Sequence, residues 1–241
     1  MLRRLAPFVL LACLALMLFA CKEARMAVPT ELTVATQAMK VEQTRIIGWD
    51  SPFDFGPYKV SDVHRGWTSA TAWGFIVYES YRAEQSYEYK IANKGGKPWQ
   101  CNCANNVNQQ VLEGMVGGGT LTWELGAGQS LACSLKAPDG KLWKLALAGG
   151  GHSRAIMRGV LVGPKLSIQV KGTDQLEGSG IPLSETTGYV FSVQGNDASG
   201  PIGAVQVINN GILWLPVSPD QDAMAAASAA LLLYQNIDRK N

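Results

Sequence analysis

The sequence predicts a mainly β fold, a single antiparallel barrel wrapped around its own C-terminal helix. Three observations predict it. Short apolar or alternating segments recur from about Thr44 to Leu215, separated by turns rich in Gly, Pro and Asn. The segment Ala223–Tyr234 has helical length and carries no charge on any face. A chain of 241 residues with 26 glycines suits one β-rich domain better than a helical array, since sandwiches and barrels commonly reach this size.

The strands follow one another along the chain. Alternation is clear in Gly74–Tyr81 and in Ser86–Ile91. Asn93-Lys94-Gly95-Gly96-Lys97-Pro98 then turns the chain into Trp99–Ala104, a hairpin by turn chemistry because Gly95 and Gly96 accept positive φ at low cost. Thr120–Leu125, Leu131–Leu135 and Leu142–Leu147 are the next strands, the last two joined by the turn Ala137-Pro138-Asp139-Gly140. Ile156–Val162, Leu166–Val170, Tyr189–Val193, Ala204–Ile208 and Ile212–Leu215 complete the set, with Asn209-Asn210-Gly211 linking the final pair. No repeat of fixed period and no heptads interrupt this pattern.

The helix is expected over residues 219–236. Ser218 reads as its N-cap and Pro219 as its first residue, while Asp220 and Asp222 complement the positive end of the dipole. A helix lying on a sheet shows one apolar stripe, whereas a helix apolar all round is buried all round. It is too short to cross a bilayer, which takes about 20 apolar residues. In an all-β chain, a closed or nearly closed sheet is the natural surround, and the small Ala side chains let strands approach from every side.

This ending, Tyr189–Gln194 and Pro201–Leu215 followed by Ala223–Tyr234, resembles the tubby-like superfamily, which includes the phospholipid scramblases. The resemblance implies a barrel of about a dozen strands over residues 44–241 enclosing the hydrophobic helix. It also implies an alternative function in phospholipid binding or membrane remodelling. The basic residues with which tubby domains bind phosphoinositides have no counterpart cluster here.

The N-terminus carries the address. Arg3 and Arg4 precede an uncharged run from Leu5 to Ala20, and Leu18-Phe19-Ala20-Cys21 resembles the lipobox of bacterial lipoprotein signal peptides. The resemblance implies a signal peptide over residues 1–20, cleavage before Cys21, and lipidation of Cys21. Residues 21–43 are then the lipidated Cys and a tether, and residues 44–241 the domain. Lys22 follows Cys21, and an Asp there would be the usual inner-membrane retention signal. The resemblance thus places the protein on the outer membrane, facing the periplasm. Removing residues 1–20 takes two bases and no acid, leaving nineteen of each. A balanced charge argues against nucleic acid, which needs a cationic face. It provides no polybasic patch for anionic lipid either.

Three cysteines remain in an oxidising compartment. Strand alternation puts Cys101 and Cys103 on one face of WQCNCA, and Cys133 on the apolar face of LACSL. The favoured disulfide is Cys103–Cys133, with Cys101–Cys133 as the alternative and the odd thiol a buried small hydrophobe. Two thiols at i and i+2 could instead hold Cu(I), but no His or Met lies near them in sequence, and no metal or other cofactor is expected.

Enzyme signals are weak. His64 lacks a paired carboxylate or nucleophile at a known spacing. Gly150-Gly151-His152-Ser153-Arg154, with Arg158 nearby, is a candidate anion or ligand loop, since consecutive glycines can present backbone N–H groups. It lacks the Lys and the strand–loop–helix setting of a phosphate loop. The aromatic segment around Trp67–Trp73 is a second candidate surface. No esterase elbow, zinc spacing or dinucleotide fingerprint is present. The sequence thus reads as a lipid-anchored, non-catalytic binding or structural module of the periplasm, with any envelope protein, lipid or other ligand bound on its loops or rim.

Overall fold

The computed structural model describes residues 23–43, 51–66, 85–107, 112, 129–149, 156–193 and 200–238. Among them are twelve strands: β1 (Ala38–Gln43), β2 (Phe53–Phe55), β3 (Tyr58–Gly66), β4 (Gln85–Asn93), β5 (Trp99–Asn105), β6 (Ser130–Lys136), β7 (Leu142–Ala148), β8 (Arg158–Val162), β9 (Ser167–Thr173), β10 (Gly188–Val193), β11 (Pro201–Gln206) and β12 (Ile212–Trp214). Each pairs antiparallel with its sequence neighbours, and β1 pairs with both β2 and β12, so the sheet closes into a barrel. Closure removes the unpaired strand edges that an open sheet would expose. The expected strands Gly74–Tyr81 and Thr120–Leu125 lie outside the described residues.

The C-terminal helix, Gln221–Asp238, runs through the barrel. From Ala223 to Gln235 every side chain is buried, and Ala225–Ala227 and Ala229–Leu231 have no exposure at all. A barrel wider than eight strands needs more than its own inward side chains to fill it, and here the filling is the helix. The inward rows of Val60, Tyr89, Cys101, Leu135, Leu145, Leu161, Ile168, Phe191 and Leu213 pack with it as one core. Among the described residues no helix is long and apolar enough to cross a membrane.

Hydrogen bonds fasten helix to wall along one stripe. The Tyr58 hydroxyl donates to the Asp222 carboxylate at 2.7 Å, Tyr89 to the Ala226 carbonyl at 2.6 Å, and Tyr87 to the Ala230 carbonyl at 2.8 Å. Residues 222, 226 and 230 lie one above another on a helix. Two residues of β4 advance about 6.7 Å, and four helical residues advance about 6 Å, so Tyr87 and Tyr89 meet successive turns. The alanines at these positions bring the helix backbone within reach of the tyrosine hydroxyls. At the far end the Arg65 guanidinium reaches the Leu233 carbonyl at 3.5 Å and lies 5.8 Å from the Tyr87 ring centre. Its charge there complements the negative end of the helix dipole.

This ladder makes the fold sensitive to alkali. Burial pushes the hydroxyls of Tyr87 and Tyr89 well above the ordinary tyrosine range, and pushes the buried Cys101 thiol up to about 12. These groups stay protonated in the folded barrel after the unfolded chain has lost its protons. Stability is therefore full below about pH 8 and falls as pH rises through the unfolded values, first of the thiol and then of the tyrosines, by up to about 1.4 kcal/mol per pH unit per group. Urea unfolding at pH 8 and at pH 11 should show this loss, and Tyr89→Phe should reduce the slope. At neutral pH the same substitution should cost about 1 kcal/mol, the net worth of one hydrogen bond.

Two expectations are corrected. The barrel begins before Thr44: β1 supplies its closing strand, and the chain leading to it is packed rather than a free tether. Met26 and Leu32 are buried with Ala204 and Trp214 on the outside of the barrel, and the short helix Thr30–Ala35 lies there too. The physical reason is that Met26 and Leu32 of this mixed stretch, with Val28 beside them, each find an apolar slot on the wall. The central helix begins at Gln221 and not at Pro219. Asp220 supplies the first helical carbonyl, to the Met224 N–H, while Ser218 accepts only from the Gln221 N–H. Pro219 and Asp220 form that turn, and the Ser218 hydroxyl oxygen is buried with no hydrogen-bond partner, so it is not the cap.

Candidate functional site

Because the helix occupies the barrel axis, open space lies at the rim. A cleft of about 350 Å³ opens where the helix enters. Three hairpin turns and the helix start build it, and their local chemistry fixes its shape. In the β4–β5 turn Gly95 takes φ +74° and the Gly96 N–H donates to the Asn93 carbonyl. The Lys94 N–H donates to the Pro57 carbonyl, tying that turn to the β2–β3 turn. In the β6–β7 turn Gly140 takes φ +85°, and Asp139 accepts from the Lys141 backbone N–H at 3.1 Å and pairs with its ammonium at 2.6 Å. That pairing holds the Asp139 carboxyl below its ordinary range and the Lys141 amine above its own.

Trp99 and Trp143 form apolar walls, both mostly buried. Gly163 makes room for one of them: a Cβ there would lie 2.6 Å from the Trp143 ring. Tyr58 closes the floor, its hydroxyl held by Asp222, and burial with this acceptor raises its pKa far above the ordinary tyrosine value. With Asp139 and Asp222 so engaged, Asp220 and Lys97 are the charged lining groups without a protein partner among the described residues. Asn93 adds an amide. Indole walls with separate acid, amine and amide groups at the rim suit a polar ligand that has an apolar face.

The sequence-derived sites fare unequally. Cys103 and Cys133 are disulfide-bonded, 4.1 Å apart at their Cα atoms. They stand directly opposite each other in β5 and β6, whereas Cys101 stands opposite Leu135, one diagonal step further. A diagonal pair is about 7–8 Å apart, beyond disulfide reach, so the Cys101–Cys133 alternative is excluded. Cys101 is a buried free thiol beside Tyr89. The two-thiol Cu(I) alternative is overturned as well, because Cys103 is spent in the disulfide. Among the described residues no three His, Cys, Asp or Glu side chains are grouped for a metal ion. His64 lies exposed on β3 opposite Glu88, and Arg158 is exposed on β8 opposite Lys171, both away from the cleft. Cys21, the loop Gly150–Arg154 and the segment Trp67–Trp73 lie outside the described residues.

Sequence reasoning did not bring the cleft together. Its residues come from segments about forty to eighty positions apart: the turns Asn93–Pro98 and Ala137–Gly140 and the helix-start acids Asp220 and Asp222 were each legible, but no spacing in the sequence says that they share a rim. No family model, curated protein or solved structure matches the chain.

Proposed function

We propose that this is a lipid-anchored lipoprotein of the outer membrane, facing the periplasm, and a non-catalytic binding module whose ligand site is the cleft at the helix entrance. One observation carries the location of the site: among the described residues the helix fills the barrel, which leaves no room for an internal cavity of the lipocalin kind, and the rim cleft brings Trp99 and Trp143 together. The phospholipid-binding or membrane-remodelling alternative rests on the tubby-like resemblance alone, whose barrel is filled by its helix in the same way. The anchor rests on Leu18-Phe19-Ala20-Cys21. The cleft chemistry favours a saccharide or amino-sugar ligand, such as a cell-wall glycan strand, whose apolar ring face packs on indole while its polar groups meet Asp220, Lys97 and Asn93.

Two measurements test this reading. The intact mass of the protein extracted in detergent should equal the chain from Cys21 plus acyl groups; a chain that begins elsewhere or lacks them contradicts the anchor. Calorimetric titration of that protein with soluble cell-wall glycan fragments should show binding that Asp220→Asn weakens about tenfold, the effect of one charge-assisted hydrogen bond. No binding, or binding indifferent to Asp220→Asn and Lys97→Ala, contradicts the site.

A further inference from the structure

The end of the barrel opposite the cleft gathers three features: the docked N-terminal segment, the loop between β9 and β10, and the turn between β11 and β12. Strand direction places them together, since β9 and β11 run away from the cleft and β10 runs towards it. The docking is specific. The Asn209 amide donates to the Ala24 carbonyl at 2.6 Å, and the Met26 N–H donates to Gln206 Oε1 at 2.9 Å. Met26 forms a β-bridge with Leu176, flanked by Glu177 N–H to Arg25 carbonyl and Ala27 N–H to Gln175 carbonyl.

The bond between Arg25 and Glu177 is a shared pivot. Cys21 lies four residues before Arg25, and Ile181 lies four residues after Glu177. Four residues span at most about 14 Å, a limit that applies to the chain on either side of this pivot. Ile181 is 76% exposed and Leu183 is 36% exposed, although Ile181-Pro182-Leu183 is held in a defined loop. The Leu183 N–H donates to the Asp174 carbonyl, the Ile181 N–H to the Ser179 hydroxyl oxygen, and the Thr187 hydroxyl is placed against the carbonyls of Thr173 and Gln175. A fixed loop that presents an isoleucine and a leucine to solvent, at the end of the barrel to which the segment following Cys21 is docked, is matched to a lipid surface.

We propose that this loop is a second membrane contact. Ile181 and Leu183 enter the lipid beside the Cys21 acyl chains and hold the barrel upright, so that the cleft points away from the membrane. The inference rests on lipidation of Cys21. The loop carries Asp174, Glu177 and Glu185 and no Lys or Arg, so it fits a zwitterionic surface and not a strongly anionic one. Acylation makes insertion effectively intramolecular, so two apolar side chains suffice where they could not recruit the protein alone. The central helix, about 27 Å long, then sets the standoff of the cleft from the bilayer.

The test uses the full-length acylated protein in phosphatidylcholine vesicles, with an environment-sensitive nitrobenzoxadiazole dye on Ile181→Cys or, for comparison, on Val217→Cys. Val217 is 95% exposed and precedes the helix start at the cleft end. Spin-labelled lipid should quench the dye at position 181 several-fold more than at position 217. Equal quenching at both positions, or stronger quenching at 217, overturns the proposal. Flotation and intact mass, read on the same samples, separate the two levels. Acylated protein that floats while position 181 stays aqueous refutes the membrane contact alone. Unacylated protein that fails to float refutes the lipoprotein reading and this inference with it.

Discussion

Ala226→Asp is expected to leave no cooperatively folded protein at neutral pH. Ala226 has no solvent exposure, its carbonyl already accepts from Tyr89, and it packs within an apolar core. Among the described residues, Arg65 is the cation that reaches the helix, at Leu233, nearly two turns further on. An unpaired carboxylate so enclosed costs several kcal/mol after relaxation, comparable with the whole stability of about 5–15 kcal/mol typical of a domain. Val34→Asp is the matched control, since Val34 is 84% exposed on the outer short helix. It should change stability by no more than about 0.5 kcal/mol. Thermal unfolding followed by near-ultraviolet circular dichroism distinguishes the two. A normal transition for Ala226→Asp would mean that the helix is not enclosed.

The double substitution Cys103→Ala and Cys133→Ala is expected to cost about 3–4 kcal/mol. The bridge closes a 30-residue separation, and in the chain-entropy account a loop of that length restricts the unfolded ensemble by this amount. For a domain of this size, such a loss lowers Tm by about 10 °C. The single variant Cys103→Ala tests the register directly. Cys101 stands opposite Leu135 and not opposite Cys133, so it should not substitute, and thiol titration of the unfolded variant should find both Cys101 and Cys133 free. A replacement bridge between them would require the β5–β6 register to slip.

Legibility in the sequence followed simple physics. Where a strand has one face in the core and alternates cleanly, sequence and structure agree: Leu131, Cys133 and Leu135 of β6 point inward together, and the cysteine pairing follows from that register. The helix was legible because no face of Ala223–Tyr234 could tolerate water. β3 was harder, because Asp62 at φ +50° sits where the register with β4 shifts, so the inward residues Val60 and Val63 fall three apart rather than two. β1 was missed because Lys40 and Glu42 alternate with Met39 and Val41 in a stretch too short to stand out from a polar linker. The cleft was not legible because it is a meeting of three turns with a helix start, and no linear spacing encodes which turns share a rim. The tyrosines of β4 read as core from their alternation, but their bonds to helix carbonyls depend on how deep the helix sits.

Native-state hydrogen exchange of the central helix tests the enclosed-helix architecture most directly. The amides of Ala225 to Leu233 should exchange only through global unfolding, with opening free energies equal to the stability from denaturant titration. Exchange of these amides at rates typical of a surface helix, well before the amides of β5 and β6, would show that the helix lies outside the ring of strands.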